Sequence, residues 1–395
     1  HAVHSGRVTP SPSADDAQWA VPLADIQLEP GLAALIQEVV ESGWWSMGPR
    51  VLEFEAVFAE FCDVAHVFAV ASGTAALQLA IAAIDCSAGD EVILPSLNFV
   101  AAANAVRLAG ATPVFCDITS EYDLNMDPKS VEAKLTPRTK AIIALHYGGL
   151  PCDLSALQAL AAGRGIRLIE DAAHAPGAVY HGRNAGSIGD IGCFSLFSNK
   201  NLPVGEGGVV VTNDPDLAER IRLLRSHGMT TLTWDRHRGH AQSYDVLVPG
   251  FNFRLDEIRA AMASVQVPTL RQRNQERGAL VARYREAFER SDRLIMPMAG
   301  APSLTSAHHL AVLVLPSGDL RERVRAELAG RRIQTSVHYP PIHQFTAYAG
   351  ADSDHLVRTN DLAPRIVTLP LFPHMSASQA DAVVDGVFAA LDSVA

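Results

Sequence analysis

Four of the chain's 32 basic residues are lysines, and one of them, Lys200, stands in "FSNKNLPVGEGG" (197–208), among polar residues and glycines. A lysine whose pKa is depressed by its surroundings attacks carbonyls and forms Schiff bases, whereas an arginine stays protonated. A surface lysine on a hairpin is the plain alternative, but Gly205, Gly207 and Gly208 point to crowding or unusual backbone angles. Upstream, "ASGTAALQLA" (71–80) ends an apolar run, turns at Gly73 and begins a helical pattern at Thr74. The free N–H groups of such a helix start suit an anion, phosphate above all, although an ordinary Ser or Thr cap has the same sequence. A third stretch, "LIEDAAHAPGA" (168–178), puts Glu170 and Asp171 at the end of another apolar run. Side chains alternate along a strand, so one of the two carboxylates is a site candidate. His174 reads equally as a site residue or as a satisfied loop histidine.

Together these parts match what pyridoxal 5′-phosphate (PLP) requires: an anchor for its phosphate, a carboxylate that keeps its ring nitrogen protonated, and a lysine for its aldehyde. "GEGG" is no dinucleotide fingerprint, because its spacing differs and a strand pattern follows it. No metal site is expected.

The elements that position these residues follow from periodicity. Short apolar runs, "HVFAVA", "EVILP", "TPVFCDI", "TKAIIALH" and "IRLIEDAA", alternate with helical segments at 74–84, 97–109, 128–135 and 154–164. Such alternation predicts a mostly parallel sheet between helices, with ligands beyond the carboxyl ends of its strands. "IGCFSLF" and "GGVVVTN" follow too closely for a crossover helix, so an antiparallel pair is expected with Lys200 on its connection. Helices at 215–226 and 256–290 lead to a smaller α+β unit made of "AHHLAVLVLP", a helix at 320–331, "IQTSVHYP" and a final helix from about 376. The expected organisation is a flexible tail over 1–20, a large PLP-binding domain over 21–280 and a small C-terminal domain over 281–395.

Composition excludes other classes. A formal charge of −11 disfavours nucleic acid, and the arginines at 271–284 and 321–332 have the spacing of solvated helix faces. Val67 to Ile84 is uncharged, but Ser72, Gly73, Thr74 and Gln78 interrupt it, so it reads as strand, turn and helix instead of a membrane span. Five scattered cysteines without a C-x-x-C pair, and a start lacking an apolar signal segment, fit a reduced, cytoplasmic setting.

On "SGTAAL", "GATPVFCDI", "PRTKAII", "LHYGGLPCDL", "IEDAAHAPGA", "GDIGCFSLFSNKNLPVGEGG", "GFNFRLDEIRAA" and "TLPLFPHM" the chain resembles the DegT/StrS family of PLP-dependent sugar aminotransferases, from about residue 23 onward. The resemblance implies an α/β fold-type-I PLP transferase, with a large domain built on a mostly parallel mixed sheet and a smaller α+β domain. It makes Lys200 the Schiff-base lysine and Asp171 the partner of the pyridine nitrogen. Gly73, Thr74 and Ser195 would hold the phosphate, Phe99 and His174 would flank the ring, and Asn252 would reach the phosphate from the neighbouring subunit of a homodimer with shared active sites.

The resemblance further implies that glutamate donates its amino group and that a nucleotide-linked keto sugar accepts it, by a ping-pong mechanism in which Lys200 moves the proton. "MTTLTWDRHRGHAQSYDVLVPGFNFRLDEI" and "TLPLFPHMS" look closest to the branch that aminates C4 of 4-keto-6-deoxy sugars. A C3-keto sugar, a keto-cyclitol, or a catalytically silent PLP-binding sensor on the same fold are the alternatives. His338, Tyr339 and His343 in "VHYPPIH", with Trp234, Arg236 and His237, are candidates for reading the substrate. A packed aromatic corner and a solvated loop are the equal alternatives for these two groups. Phe253 stands where the family often has Tyr, and Pro203 where Thr is frequent.

Overall fold

In the computed structural model the alternating apolar and helical segments form a sheet covered by helices on both faces. The structure describes residues 19–231, 234 and 243–392, so most of the expected N-terminal tail lies outside the described residues. The chain begins with α1 (Leu32–Glu41) and α2 (Pro49–Cys62), then runs β1 (His66–Val70), α3 (Gly73–Ala83), β2 (Glu91–Pro95), α4 (Ala101–Leu108), β3 (Thr112–Cys116), α5 (Pro128–Lys134), β4 (Thr139–Leu145), α6 (Leu154–Ala161) and β5 (Arg167–Asp171). A side hairpin of β6 (Val179–Tyr180) and β7 (Arg183–Asn184) precedes β8 (Ile191–Ser195), β9 (Gly208–Thr212), α7 (Pro215–Arg225), α8 (Glu257–Ser264) and α9 (Leu270–Phe288). The C-terminal elements are β10 (Leu304–Thr305), β11 (Ala311–Val314), α10 (Gly318–Gly330), α11 (Val357–Leu362), β12 (Ile366–Leu369) and α12 (Ala377–Asp392).

The main sheet has the order β1-β9-β8-β5-β4-β2-β3. β3, β2, β4, β5 and β8 are parallel, and β9 runs antiparallel to both β8 and β1. The uninterrupted apolar runs make sense because both faces are covered. Phe68 and Val70 pack beneath α3, α4 and α7, while Val67 and Ala69, turned the other way by the period of the strand, pack against α2 and α8. The expected antiparallel pair is present, with Ser195 opposite Gly208.

Three element expectations are corrected. The helix expected over 256–290 is divided into α8, a 3-10 turn at Val267–Thr269 and α9, because Pro268 has no N–H to continue the ladder. The helix expected from residue 97 begins at Ala101, since the Asn98 side chain accepts the Phe99 N–H at 2.6 Å and holds a turn there. "IQTSVHYP" forms no strand: β11 pairs instead with β12, and Ser336 makes a single bridge to Thr368. These C-terminal elements share a core with α9, in which Tyr284 and Phe288 meet Leu313, Val324 and Val387.

At the end of β5 the two neighbouring carboxylates part, as the strand period predicts. Glu170 is buried and accepts the N–H groups of Gly186, Ile188 and Gly189, each at 2.6 Å, as well as Nε2–H of His146 at 2.9 Å. Burial pushes its carboxyl up, but His146 and the amides of Gly189 and Gly186 outweigh burial and hold it below the usual carboxylate range. His146 keeps Nδ1 as an acceptor for the Cys152 N–H at 3.2 Å. Glu170 thus fastens the end of β4, the end of β5 and the turn before β8, which leaves Asp171 to face the opposite side. Glu170→Ala would orphan three buried amides, and we expect it to destabilise the fold by about 3–5 kcal/mol. A urea midpoint unchanged from the parent protein would contradict this role.

Candidate active site

The register of the sheet builds a cradle at the carboxyl ends of its strands. Val70 and Ser195 both lie opposite Gly208, at the start of the antiparallel β9. A Cβ on Gly208 would collide with the Ser72 carbonyl, and one on Gly73 would come within 2.8 Å of the Ser195 Cβ. Both glycines are therefore demanded by close approach, which the sequence suggests for Gly208, while Gly73 reads there as a turn residue. Gly205 has a φ of 91°, the unusual angle that was the other expectation. Ser72 caps α3 by accepting the Ala75 N–H at 3.0 Å through its hydroxyl, and its carbonyl accepts the Ala76 N–H at 3.0 Å. The first-turn N–H groups of Gly73 and Thr74 have no intrahelical partner, and both residues line one cavity with Ser195, an arrangement that can seat an anion.

The cradle opens into a cavity of 370 Å³ lined by Gly73, Thr74, Asn98, Phe99, Asp171, His174, Ser195, Lys200, His338 and Tyr339. The Lys200 loop is fixed from below by Asn201, whose side-chain amide donates to Asn274 Oδ1 at 2.9 Å and to the Ala307 carbonyl at 2.7 Å. Asn201 Oδ1 is left as an acceptor, so His309 donates to it from Nδ1 at 3.0 Å. His309 then presents the lone pair of Nε2 to Lys200 Nζ at 3.5 Å.

Burial lowers the pKa of Lys200 to about 8, against the pull of the Asp171 carboxylate. The same burial raises Asp171 above the ordinary carboxylate value, although the Ala173 N–H and Lys200 oppose it. Three imidazoles near the lysine stay neutral. Burial first, then the Lys200 charge, holds His174 and His309 well below the usual histidine value and His338 at about 4. His174 accepts the Gly148 N–H on Nδ1 at 3.3 Å, so Nε2 donates to the Tyr339 hydroxyl at 2.7 Å. His338 bonds Thr368 through Nδ1 at 2.9 Å, and its carbonyl accepts the Tyr147 hydroxyl.

The residues present fit PLP. The crowded glycine cradle is shaped for a phosphate, Asp171 is the one carboxylate facing the same space from β5, and Lys200 is a depressed amine beside it. Asn98 is buried in the same wall, where its side chain helps to hold the Asp171 carboxylate down.

The structure thus brings Gly73, Thr74, Phe99, Asp171, His174, Ser195, Lys200, His338 and Tyr339 to one cavity. Phe99 is 56% exposed at its mouth, with its ring 5.9 Å from that of Tyr339. His343 is not brought there: it bonds the Ser96 hydroxyl at 2.7 Å and Asn360 at 2.9 Å, away from the lining. Asn252 is exposed on a bridge to Ser226, outside the cavity of its own chain. Trp234 packs its ring 4.8 Å from Trp44, while Arg236 and His237 lie outside the described residues. Sequence reasoning missed Asn98, Asn201 and His309. "AHHLAVLVLP" was legible as a strand segment, but nothing in its spacing tied its second histidine to Lys200.

Comparison with known proteins agrees with this geometry. The model of the DegT/DnrJ/EryC1/StrS aminotransferase family matches residues 28–388. The spore coat polysaccharide biosynthesis protein SpsC of Bacillus subtilis (strain 168) is 39% identical over 360 residues, 89% of this chain and 92% of its own. The dTDP-3-amino-3,4,6-trideoxy-alpha-D-glucose transaminase of Streptomyces venezuelae is 38% identical over 358 residues, 90% of each chain. Among solved structures, the aminotransferase TlmJ from Streptoalloteichus hindustanus superposes with a TM-score of 0.88 at 34% identity, covering 95% of this chain and 99% of its own. With a match over residues 28–388 and relatives 38–39% identical, the chain belongs to the DegT/DnrJ/EryC1/StrS aminotransferase family.

Proposed function

We propose that this protein moves an amino group from glutamate to the keto carbon of a nucleotide-linked sugar, in two half-reactions that share one site. The observation that carries the reading is the depressed, enclosed Lys200 facing Asp171 beside an anion cradle. The cofactor is PLP, whose aldehyde accepts the amino group and whose ring draws off electrons. Gly73, Thr74 and Ser195 hold the phosphate, and Asp171 supplies a negative charge for the ring nitrogen. Phe99 and His174 flank the ring, with His174 fixed in one tautomer by Gly148 and Tyr339. Lys200, freed as an amine, carries the proton to and from the substrate carbon. Neutral His174, His309 and His338 leave that proton without a competing acid nearby.

Asn252, exposed in a single chain, fits a residue that completes the site of a second copy in a homodimer. A large domain over 21–280 and a small one over 281–395 fit the separate core shared by α9, β11, α10, β12 and α12. The acceptor carbon is C4 on the reading of the sequence. A C3 acceptor is the second reading, favoured by the Streptomyces venezuelae relative, which is named for a 3-amino sugar.

Glutamate added stepwise to the PLP-loaded protein should bleach the visible band of the lysine-bound cofactor without any acceptor present. A band that ignores glutamate would sink the donor assignment, and 4-keto and 3-keto nucleotide sugars added afterward separate the two acceptors. Lys200→Ala should keep the fold and lose the visible band, with turnover down at least about 10³-fold. Native-rate turnover in that variant would refute the role of the lysine.

The pH dependence has a definite sign. A lysine pKa lowered to about 8 means that the reactive neutral amine gains population as pH rises and saturates above that value. The rate at which cofactor-free protein captures PLP should therefore climb with pH and level off above about 8. Asp171→Asn should move this inflection down, because the carboxylate stabilises the ammonium. It should also weaken cofactor retention while leaving the urea midpoint near the parent value, unlike Glu170→Ala. An inflection near 10.5 in the parent protein, the unshifted lysine value, would overturn the assignment.

A further inference from the structure

Arg277, on α9, is 7% exposed, and its Nη1 has no hydrogen-bond partner among the described residues. A buried guanidinium without a hydrogen-bonded counter-charge is costly to keep, and the charge of Glu276 relieves it only in part. Arg273, one turn earlier, takes Glu29 at 2.7 Å and donates to the Gln27 carbonyl at 3.3 Å. The nearby Asp25 is committed to His374 at 2.9 Å and to the Ile26 N–H at 2.9 Å. Burial, reinforced by the charge of Arg273, pushes Arg277 down to about 10.

Arg277 lines a second, small cavity whose walls include Asp25, Arg273, Asn199, Lys200, His309 and Phe372. Asn199 and Lys200 are also walls of the main cavity, so the small one lies on the other side of the reactive lysine. Its volume of 20 Å³ admits one or two water-sized groups, since one water needs about 10–15 Å³. That is room for the oxygens of a carboxylate and too little for a sugar or a phosphate ester. A small anionic group reaching the back of Lys200 belongs to a molecule that reacts there. An amino donor carries such a carboxylate close to the amino group it gives up.

We propose that the cavity behind Lys200 seats a carboxylate of the amino donor, with Arg277 as its counter-charge. The inference rests on the aminotransferase reading above. A guanidinium presents a rigid fork that matches a carboxylate, and the ligand supplies the partner that the protein itself withholds.

The test uses the PLP-loaded enzyme and its Arg277→Met and Arg277→Lys variants. Three quantities are measured: the half-saturating glutamate for bleaching the visible band, the calorimetric binding of glutarate as an unreactive dicarboxylate, and thermal melting with and without glutarate. Arg277→Met should raise the half-saturating glutamate at least about tenfold, abolish glutarate binding and its stabilisation, and leave PLP affinity unchanged. Without ligand it should melt no lower than the parent, because an unpaired buried charge has gone. Arg277→Lys should recover the melting behaviour of the parent but only part of the glutamate affinity. Unchanged glutamate and glutarate binding in Arg277→Met would overturn the proposal, and so would a large loss of melting temperature with no change in donor saturation. If the parent enzyme ignores glutamate but is bleached by another amino acid, the glutamate assignment fails. The same comparison with that amino acid then decides the carboxylate seat.

Discussion

One antiparallel strand sets the geometry of the site. β9 is inserted between β8 and β1 against the direction of both, so its first residue, Gly208, faces Ser195 on one side and Val70 on the other. This row brings the start of α3 against the end of β8 with no side chain between them, and a Cβ at either Gly73 or Gly208 would force them apart. The reversal also needs a connection that turns back over the sheet edge, and that connection carries Lys200. Cradle and lysine therefore depend on the same topological choice.

The electrostatics follow from enclosure. Lys200 and Asp171 are opposite charges at one cavity, and three histidines around the lysine, His174, His309 and His338, are kept neutral by burial and by the lysine itself. Two of these rings have their proton placed by a specific neighbour: Gly148 fixes His174, and Asn201 fixes His309. For buried rings such as His174 and His309, fixed dipoles of this kind count for more than they would at a surface. The paired carboxylates at the end of β5 show the same economy of roles. Glu170, satisfied by three amides and His146, is structural, while Asp171, one residue on, keeps a carboxylate oxygen facing the cavity.

What the sequence by itself determined is local. The period-2 and helical patterns placed the strands and most helices, the short gap between "IGCFSLF" and "GGVVVTN" required the antiparallel pair, and the alternation at Glu170 and Asp171 separated their faces. The glycines around Lys200 spoke of crowding because a missing Cβ is a property of the residue itself. The motif resemblance added the family. Pro268 was equally legible but was passed over within an otherwise helical pattern.

Only the tertiary structure decided which distant side chains meet the lysine. His309, Asn201's link to Asn274, and Arg277 come from segments whose local periodicity tells which face is buried and not what it is buried against. "VHYPPIH" makes the point within seven residues: His338 and Tyr339 enter the cavity, while His343 turns away to Ser96 and Asn360. The expected strand there gave way because β12, about thirty residues further on, took the hydrogen bonds of β11. Composition and spacing limit what each residue can do. The docking of one segment on another selects its partner, and with the partner its protonation state and its role.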